Sequence, residues 1–527
     1  MDNTLKPLGL ILLRVMYDKY LLPSCILKGK NLLVSPHGLT NNGSICFMNS
    51  ILQLLFCCEP FIQILNLIRD GTLASFESNK TPVLDATINL LNLFKSKKEH
   101  TSSNTSSPSP SSTSSPSSSY DIISPNNFYT AISKVNKFSH LKWGRQEDAE
   151  EFLGYFLDSL HEEFIESIKN LKDTEIEKLL KSINDRDTKR NVTQALEIIR
   201  SPSQTSNNSS TTTTTTSKEE TNDDDGWHEV GSNRKIVAKR EVEVKPSPIV
   251  QLFGGQFRSV LSVSNSKKSS ITLDPFMHVQ LDISDNETTD LISAFNKFSE
   301  IEEISYGNQM AKKQNFIDKL PMILIIHLKR FSYVTTNDSN NNNNDANNSD
   351  SNNNNSNNNN SNISINNNDS NIADSDDKYE VITRKKKSNN SNSTTNNTIS
   401  SPPSTSSTTT TATPNYSSIF EGRIEKLHKI IKYDHELKLP KNCISPSNYF
   451  NPQQPPNYKL TGVVYHHGRS AEGGHYTVDV LNQNEWFRVD DTQVTKINKS
   501  DVIENGLTGG NYLNNNKSAY ILMYQRI

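Results

Sequence analysis

The sequence predicts an α+β fold, and three observations predict it. Helical periodicity dominates the patterned blocks of the N-terminal half. Strand-like runs dominate those of the C-terminal half. Between the blocks lie tracts of Ser, Thr, Pro and Asn that carry almost no apolar residues.

Taken in order, the stretch Leu8 to Met16 is apolar but contains Arg14 and is too short to span a bilayer. It carries no signal-peptide pattern and reads as a short strand or helix packed on the domain that follows. After Cys46, the residues Phe47, Met48, Ile51, Leu52, Leu55 and Cys58 recur at three- and four-residue spacing. That spacing predicts an amphipathic helix, which Pro60 interrupts. A second helix is predicted from near Asp148. Its apolar face is Ala149, Phe152, Leu153, Phe156, Leu157, Leu160 and Phe164, with acids opposite. Strands are predicted at Val260 to Val263, Met277 to Ile283, Met322 to Leu328 and Thr461 to Tyr465. Further strands follow at Tyr476 to Leu481, Glu485 to Val489 and Ala519 to Tyr524, all rich in β-branched and large apolar residues.

The chain has 527 residues, of which 33% are hydrophobic. Its mean hydropathy is -0.63, low for a wholly globular chain. The formal net charge of -3 gives no global field directed at nucleic acid or an anionic membrane. The five cysteines are odd in number and irregularly spaced, which argues for a reducing compartment over a disulfide framework. We expect the cytoplasm, with the nucleus as a second compartment, and a monomer. Segments 101–119, 201–225 and 336–414 cannot bury enough apolar surface to offset chain entropy and read as disordered insertions. Residues 1–32 read as a short N-terminal extension. Residues 33–527 read as one large domain, a helical part to about 200 and a β-rich part from about 226.

Two segments carry the chemistry. The first is Gly38-Leu39-Thr40-Asn41-Asn42-Gly43-Ser44-Ile45-Cys46-Phe47-Met48-Asn49-Ser50. The second is Gly473-Gly474-His475-Tyr476, followed by Trp486-Phe487-Arg488-Val489-Asp490-Asp491. A cysteine at the mouth of a helix meets unpaired backbone N–H groups, which favour the thiolate that catalysis needs. Gly43 supplies a turn and Ser44 a candidate cap. His475 leaves a glycine-rich loop at the start of a strand, the place for a base. Asp490 ends the next strand, where an acid can hold the imidazole. Cys25, Cys57, Cys58 and Cys443 read as small buried hydrophobes. His466 and His467 end a strand and read as structural.

These residues resemble the Cys box and His box of the ubiquitin-specific proteases. Gly144-Arg145-Gln146-Glu147-Asp148-Ala149-Glu150-Glu151-Phe152-Leu153 resembles the family's helix start beside the ubiquitin tail. Leu320-Pro321-Met322-Ile323-Leu324-Ile325-Ile326-His327-Leu328-Lys329-Arg330-Phe331 resembles its palm strand. Segments 226–231, 253–259 and 463–468 point to one branch within it. The resemblance implies a papain-like fold with a helical thumb, a β-rich palm and β fingers. It implies Cys46 as nucleophile, His475 as base, Asp490 as its orienting acid, Asp491 as a helper behind it, and Asn41 as an oxyanion donor. It places Gln146, Asp148, Glu151, Gly474 and Tyr476 along the substrate tail. Asp148 and Glu151 could instead only complement their helix N-terminus.

The sequence departs from the family in three ways. Ser44-Ile45 replaces the usual Asn-Thr or Asn-Trp before the cysteine. No paired CxxC motifs are present, so no zinc site and no cofactor are expected. Only about thirty residues precede the Cys box in this sequence, so the long region found there in some relatives is not expected to contribute partners. The activity implied is hydrolysis of the isopeptide or peptide bond after ubiquitin's C-terminal glycine, with ubiquitin and ubiquitinated proteins as partners. The alternatives are a catalytically weak ubiquitin-binding scaffold, or a chain whose Asn-rich tracts drive assembly.

Overall fold

The run from Leu320 to Leu328 is apolar without alternation because the strand it forms is covered on both faces. Ile323 and Ile325 point into one core, and Leu324, Ile326 and Leu328 into another. The computed structural model describes residues 6–17, 34–72, 80–95, 122–201, 227–229, 236–263, 269–306, 309–335, 422–446, 456–470, 473–503 and 517–527. The insertions at 101–119 and 336–414, and that at 201–225 beyond Ser201, lie outside the described residues. Residues 6–333 and 424–527 belong to one unit, and 334–423 to a second.

The strands, in chain order, are β1 (Trp227–Glu229), β2 (Ile236–Glu241), β3 (Gly255–Val263), β4 (Ser269–Phe276) and β5 (Val279–Asp282). They continue as β6 (Glu302–Tyr306), β7 (Gln309–Lys319), β8 (Ile323–Lys329), β9 (Phe331–Thr335), β10 (Gly422–Lys426) and β11 (Glu436–Lys438). The last are β12 (Asn457–His467), β13 (His475–Asn482), β14 (Glu485–Asp490), β15 (Gln493–Ile497) and β16 (Ser518–Arg526). One sheet runs β15-β14-β13-β12-β16-β8-β5, with β11 also paired to β12. It is antiparallel except for the β5–β8 pair. A second sheet runs β1-β2-β4-β3-β7-β6. Strands β9 and β10, which flank the long Asn-rich tract, pair with each other.

The helical half is built on the first sheet. The Cys46–Phe56 helix packs on β13, and its Phe47, Ile51, Leu52 and Leu55 share a core with Val478 and Val480. Pro60 does not end the helical region. It sits in the first turn of a new helix, Glu59–Gly71, where its missing N–H costs nothing. These two helices meet at 84°. Among the described residues, no single helix is long and apolar enough to cross a membrane. The Ala149–Lys169 helix packs on the Cys46–Phe56 helix and buries Phe152, Phe156, Leu160 and Phe164 in the same core. Each such side chain contributes about 1.5–3 kcal/mol on burial.

The apolar stretch near the N-terminus is the helix Leu8–Tyr17. Its Leu12, Leu13 and Val15 belong to the same core as the Cys46 helix. The other face of the first sheet is closed by the Leu291–Phe298 helix and by Tyr433, Leu437 and Cys443.

Candidate active site

The nucleophile end is a tight loop entering a buried helix. The helix begins at Cys46, which is 3% exposed. Ser44 is not the cap that the sequence suggested. It lies in the left-handed region at φ 55°, and the N-cap is Ile45, with no side-chain cap. The cap is supplied from further back: the Ile45 N–H donates to Asn41 Oδ1 at 2.8 Å. Ile45 is fully buried, which accounts for an apolar residue at this position. Gly43 has no room for a side chain, because a Cβ there would lie 2.5 Å from the Trp143 ring.

The residues expected as base and acid come from β13 and β14, adjacent strands of the sheet. His475 opens β13 and Asp490 closes β14. His475 Nε2 lies 2.6 Å from Asp490 Oδ1. That leaves Nδ1 for the hydrogen bond between the imidazole and Cys46. The bond to Asp490, then the bond to Cys46, pushes the His475 imidazolium up to about 10. The same contact holds the Asp490 carboxyl below its ordinary value.

Asp491 faces the other way. Its Oδ2 accepts from Asn41 Nδ2 at 2.8 Å and its Oδ1 from Asn49 Nδ2 at 2.9 Å. It lies 3.9 Å from His475 Nε2. Asp491 adopts φ 47°, which costs energy for a residue with a Cβ. The turn lets its carbonyl accept from the Leu39 N–H at 2.8 Å. It also brings the Thr492 carbonyl so close to Gly38 that a Cβ there would lie 2.4 Å away. Asp491 thus ties the loop that carries Asn41 to the strand that carries Asp490.

The residues assigned to the substrate tail are placed as follows. Gln146 Oε1 accepts from the Gly474 N–H at 3.0 Å, joining the helix start to the glycine loop. Gly474 itself is exposed. Asp148 is the N-cap of the Ala149–Lys169 helix and accepts from the Glu150 N–H at 2.7 Å. Its other oxygen accepts from the Tyr520 hydroxyl at 2.6 Å. Burial raises its pKa against these bonds. Glu151 is exposed on the first turn. The Tyr476 ring is buried against His466 and Tyr520, so its side chain forms the wall beneath the site, not an exposed contact.

His466 and His467 stay off the reaction path. Burial pushes both down to about 3, so both are neutral. His466 meets the Phe331 and Tyr476 rings edge-to-face, and His467 Nε2 pairs with Thr477 Oγ1 at 2.8 Å. Cys57, Cys58 and Cys443 are pushed up to about 12 by burial, which keeps them as thiols. Cys25 lies outside the described residues.

Two residues of the site went unread in the sequence. Asn49 and Gln53 are buried in the Cys46 helix. Asn49 holds Asp491, and Gln53 Nε2 donates to the His37 carbonyl. The available signal was polar side chains inside a helix that is apolar all round.

A buried thiol at a helix N-terminus, beside an imidazole that a carboxylate orients, is the arrangement that thiol hydrolase chemistry needs. The model of the family described as ubiquitin carboxyl-terminal hydrolase matches residues 37–524, and the chain belongs to that family. It is 36% identical to ubiquitin carboxyl-terminal hydrolase 3 of Saccharomyces cerevisiae, over 99% of this chain and 54% of that protein. The chain thus spans about half the length of that relative. It is 31% identical to the probable ubiquitin carboxyl-terminal hydrolase 3 of Schizosaccharomyces pombe, over 94% of this chain and 74% of that protein. The branch suggested by segments 226–231, 253–259 and 463–468 is ubiquitin carboxyl-terminal hydrolase 10. The Xenopus tropicalis protein of that name is 26% identical over 94% of this chain and 48% of its own length. In fold, the chain is similar to one in the yeast SAGA DUB module with an Sgf73 mutant. The TM-score is 0.51 at 16% identity, covering 94% of this chain and 70% of that one.

Proposed function

We propose that the chain is a thiol-dependent deubiquitinating peptidase that hydrolyses the bond after ubiquitin's C-terminal glycine. The observation that carries this reading is the Cys46–His475–Asp490 alignment in a member of this family. The Cys46 thiolate attacks the glycine carbonyl. The oxyanion is met by the Cys46 N–H and by the Asn41 amide. One Asn41 N–H is fixed on Asp491, and that bond aims the other.

His475 then protonates the leaving lysine amine. The bond to Asp490 favours the protonated ring, so the imidazolium persists until the departing amine takes its proton. Thioester formation removes the bond from Cys46 that helps hold the imidazolium. The ring then sheds its proton more readily and can take one from the water that frees ubiquitin. No step requires a cofactor.

Of the two readings for Asp148 and Glu151, we propose that both act on the tail as well as at the helix start. The tail is extended and carries arginines, which carboxylates can accept. The four cysteines free among the described residues support a reducing, cytoplasmic or nuclear setting. We propose that the chain acts as a monomer.

The test is reaction with a ubiquitin C-terminal electrophile, followed by mapping of the labelled residue. We expect the label on Cys46 alone. Cys46→Ala should lower cleavage of ubiquitin–aminomethylcoumarin by roughly a thousandfold or more while ubiquitin still binds. Label on Cys57 or Cys58, or a Cys46→Ala protein that still cleaves, would overturn the assignment.

A further inference from the structure

We propose that Lys426 is a positioning residue for the general base, acting through the strand end beside His475. The proposal rests on the deubiquitinating reading of the site. Lys426 is the last residue of β10 and is 6% exposed. Its Nζ donates to the His466 carbonyl and to the Gly468 carbonyl, both at 2.9 Å. Those two carbonyls bracket His467. In the β12–β13 ladder, His467 is the direct partner of His475. One lysine amine therefore grips the backbone on both sides of the residue that faces the base.

The grip falls where the backbone most needs it. β12 ends at His467, and the chain enters the glycine-rich loop that returns at Gly473, Gly474 and His475. Gly468 sits at φ 122° and its Cβ position lies 3.0 Å from Gly473 O and from Gly474 Cα. Gly474 likewise has the His467 carbonyl 2.2 Å from its Cβ position. The two ends of the loop are thus in contact, and glycine offers them little conformational restraint. An error in where His467 and Gly468 lie passes directly to His475. A misplacement of about 1 Å at a reacting group can cost on the order of a hundredfold in rate.

Lys426 is held there against its own solvation. Burial, then the charge of Arg330, pushes it down to about 7. Around it lie Arg330, which is fully buried and bonded to the Ala519, Leu427 and Lys429 carbonyls, and His466 and His428, whose charged forms burial disfavours. A methionine would fill this space at lower desolvation cost. The lysine is thus a costly choice for packing alone and a useful one for fixing two carbonyls.

The experiment compares wild type, Lys426→Met and Lys426→Arg in three measurements. Melting temperatures establish that each protein is folded. With ubiquitin–aminomethylcoumarin, Lys426→Met should lose roughly tenfold to a hundredfold in kcat, with KM within about threefold. Lys426→Arg, which keeps donors for the carbonyls, should recover most of the loss. Iodoacetamide alkylation of Cys46 reads the thiol–imidazole pair without ubiquitin. Its rate at pH 6 relative to pH 9 should drop severalfold in Lys426→Met and be restored in Lys426→Arg.

A folded Lys426→Met with wild-type kcat and an unchanged alkylation profile would overturn the proposal. So would a folded Lys426→Arg as impaired as Lys426→Met. If Lys426→Met does not fold, Lys426→Arg still decides the matter by the same kcat and alkylation readouts. Wild-type protein that alkylates normally but leaves ubiquitin intact would refute the deubiquitinating reading, and the alkylation comparison would still test Lys426.

Discussion

Asp490 and Asp491 are sequence neighbours with separate tasks. Asp490 holds the imidazole, and Asp491 holds the two asparagines of the nucleophile segment. The pH dependence of each task follows from its partners. The His475 imidazolium is raised to about 10. Its contribution to stability is fully present below the free value of about 6.5 and is lost as pH rises through about 10. The Asp490 carboxyl is lowered, so its contribution is present above its free value near 3.9 and is lost as pH falls below that. The pair therefore stabilises the fold fully between about pH 4 and 6.5. The melting temperatures of wild type and Asp490→Ala should differ most near pH 6 and converge near pH 11. A constant difference across that range would assign the effect of Asp490 to packing. Asp491→Ala leaves two part-buried amides without their acceptor, at roughly 1–3 kcal/mol each. It should depress kcat through Asn41 while leaving the pH dependence from His475 in place.

Among the elements, the Ala149–Lys169 helix separates capping from recognition. Asp148 caps it and also bonds Tyr520, so part of its role is structural. Asp148→Asn keeps an oxygen for the cap and removes the charge. Its melting temperature should shift little. If the carboxylate also reads the substrate tail, kcat/KM should fall roughly tenfold or more, since a charged hydrogen bond is worth about 1.5–3 kcal/mol. An unchanged kcat/KM would leave Asp148 as a cap alone.

This helix was legible in the sequence because Phe152, Phe156 and Phe164 recur at helical spacing beside acids. The helices Asp173–Ser182 and Arg186–Arg200 were not. They bury only Ile176 and Leu179, and Val192, Ala195, Leu196 and Ile199, among many charges. The apolar strands β3, β5, β8, β12, β13, β14 and β16 were legible by position, and β3, β12 and β16 ran longer in the structure because polar residues such as Asn457, Lys459 and Gln525 still pair in the ladder. The more polar strands, among them β4, β6, β7 and β15, were not legible. At the site, Cys46, His475 and Asp490 stood out because glycines and strand ends frame them. Asn49 showed only as a polar residue inside an apolar helix, and Lys426 not at all, because their partners are a carboxylate and carbonyls far away in the chain. A single sequence carries no trace of such pairs.

For the molecule as a whole, the fold depends on joining segments distant in sequence, and the long Asn-rich tract falls inside one such join. Strands β9 and β10 flank it and pair with each other. The ends of the tract are therefore fixed side by side whatever its length. For a flexible closed loop, the entropic cost grows only with the logarithm of length, about 0.6 kcal/mol per doubling. Replacing most of 336–414 with a Gly/Ser linker of about ten residues shortens the closed loop by two to three halvings. The protein should gain roughly 1–2 kcal/mol and melt a few degrees higher. Its kcat and KM on ubiquitin–aminomethylcoumarin should stay within about twofold, because Cys46, His475 and Asp490 all lie in the other unit. Urea denaturation measures the first effect and steady-state kinetics the second. A fall in stability would mean that the tract packs on the domain. Loss of turnover at unchanged stability would mean that β10, and Lys426 at its end, depend on the tract for their place.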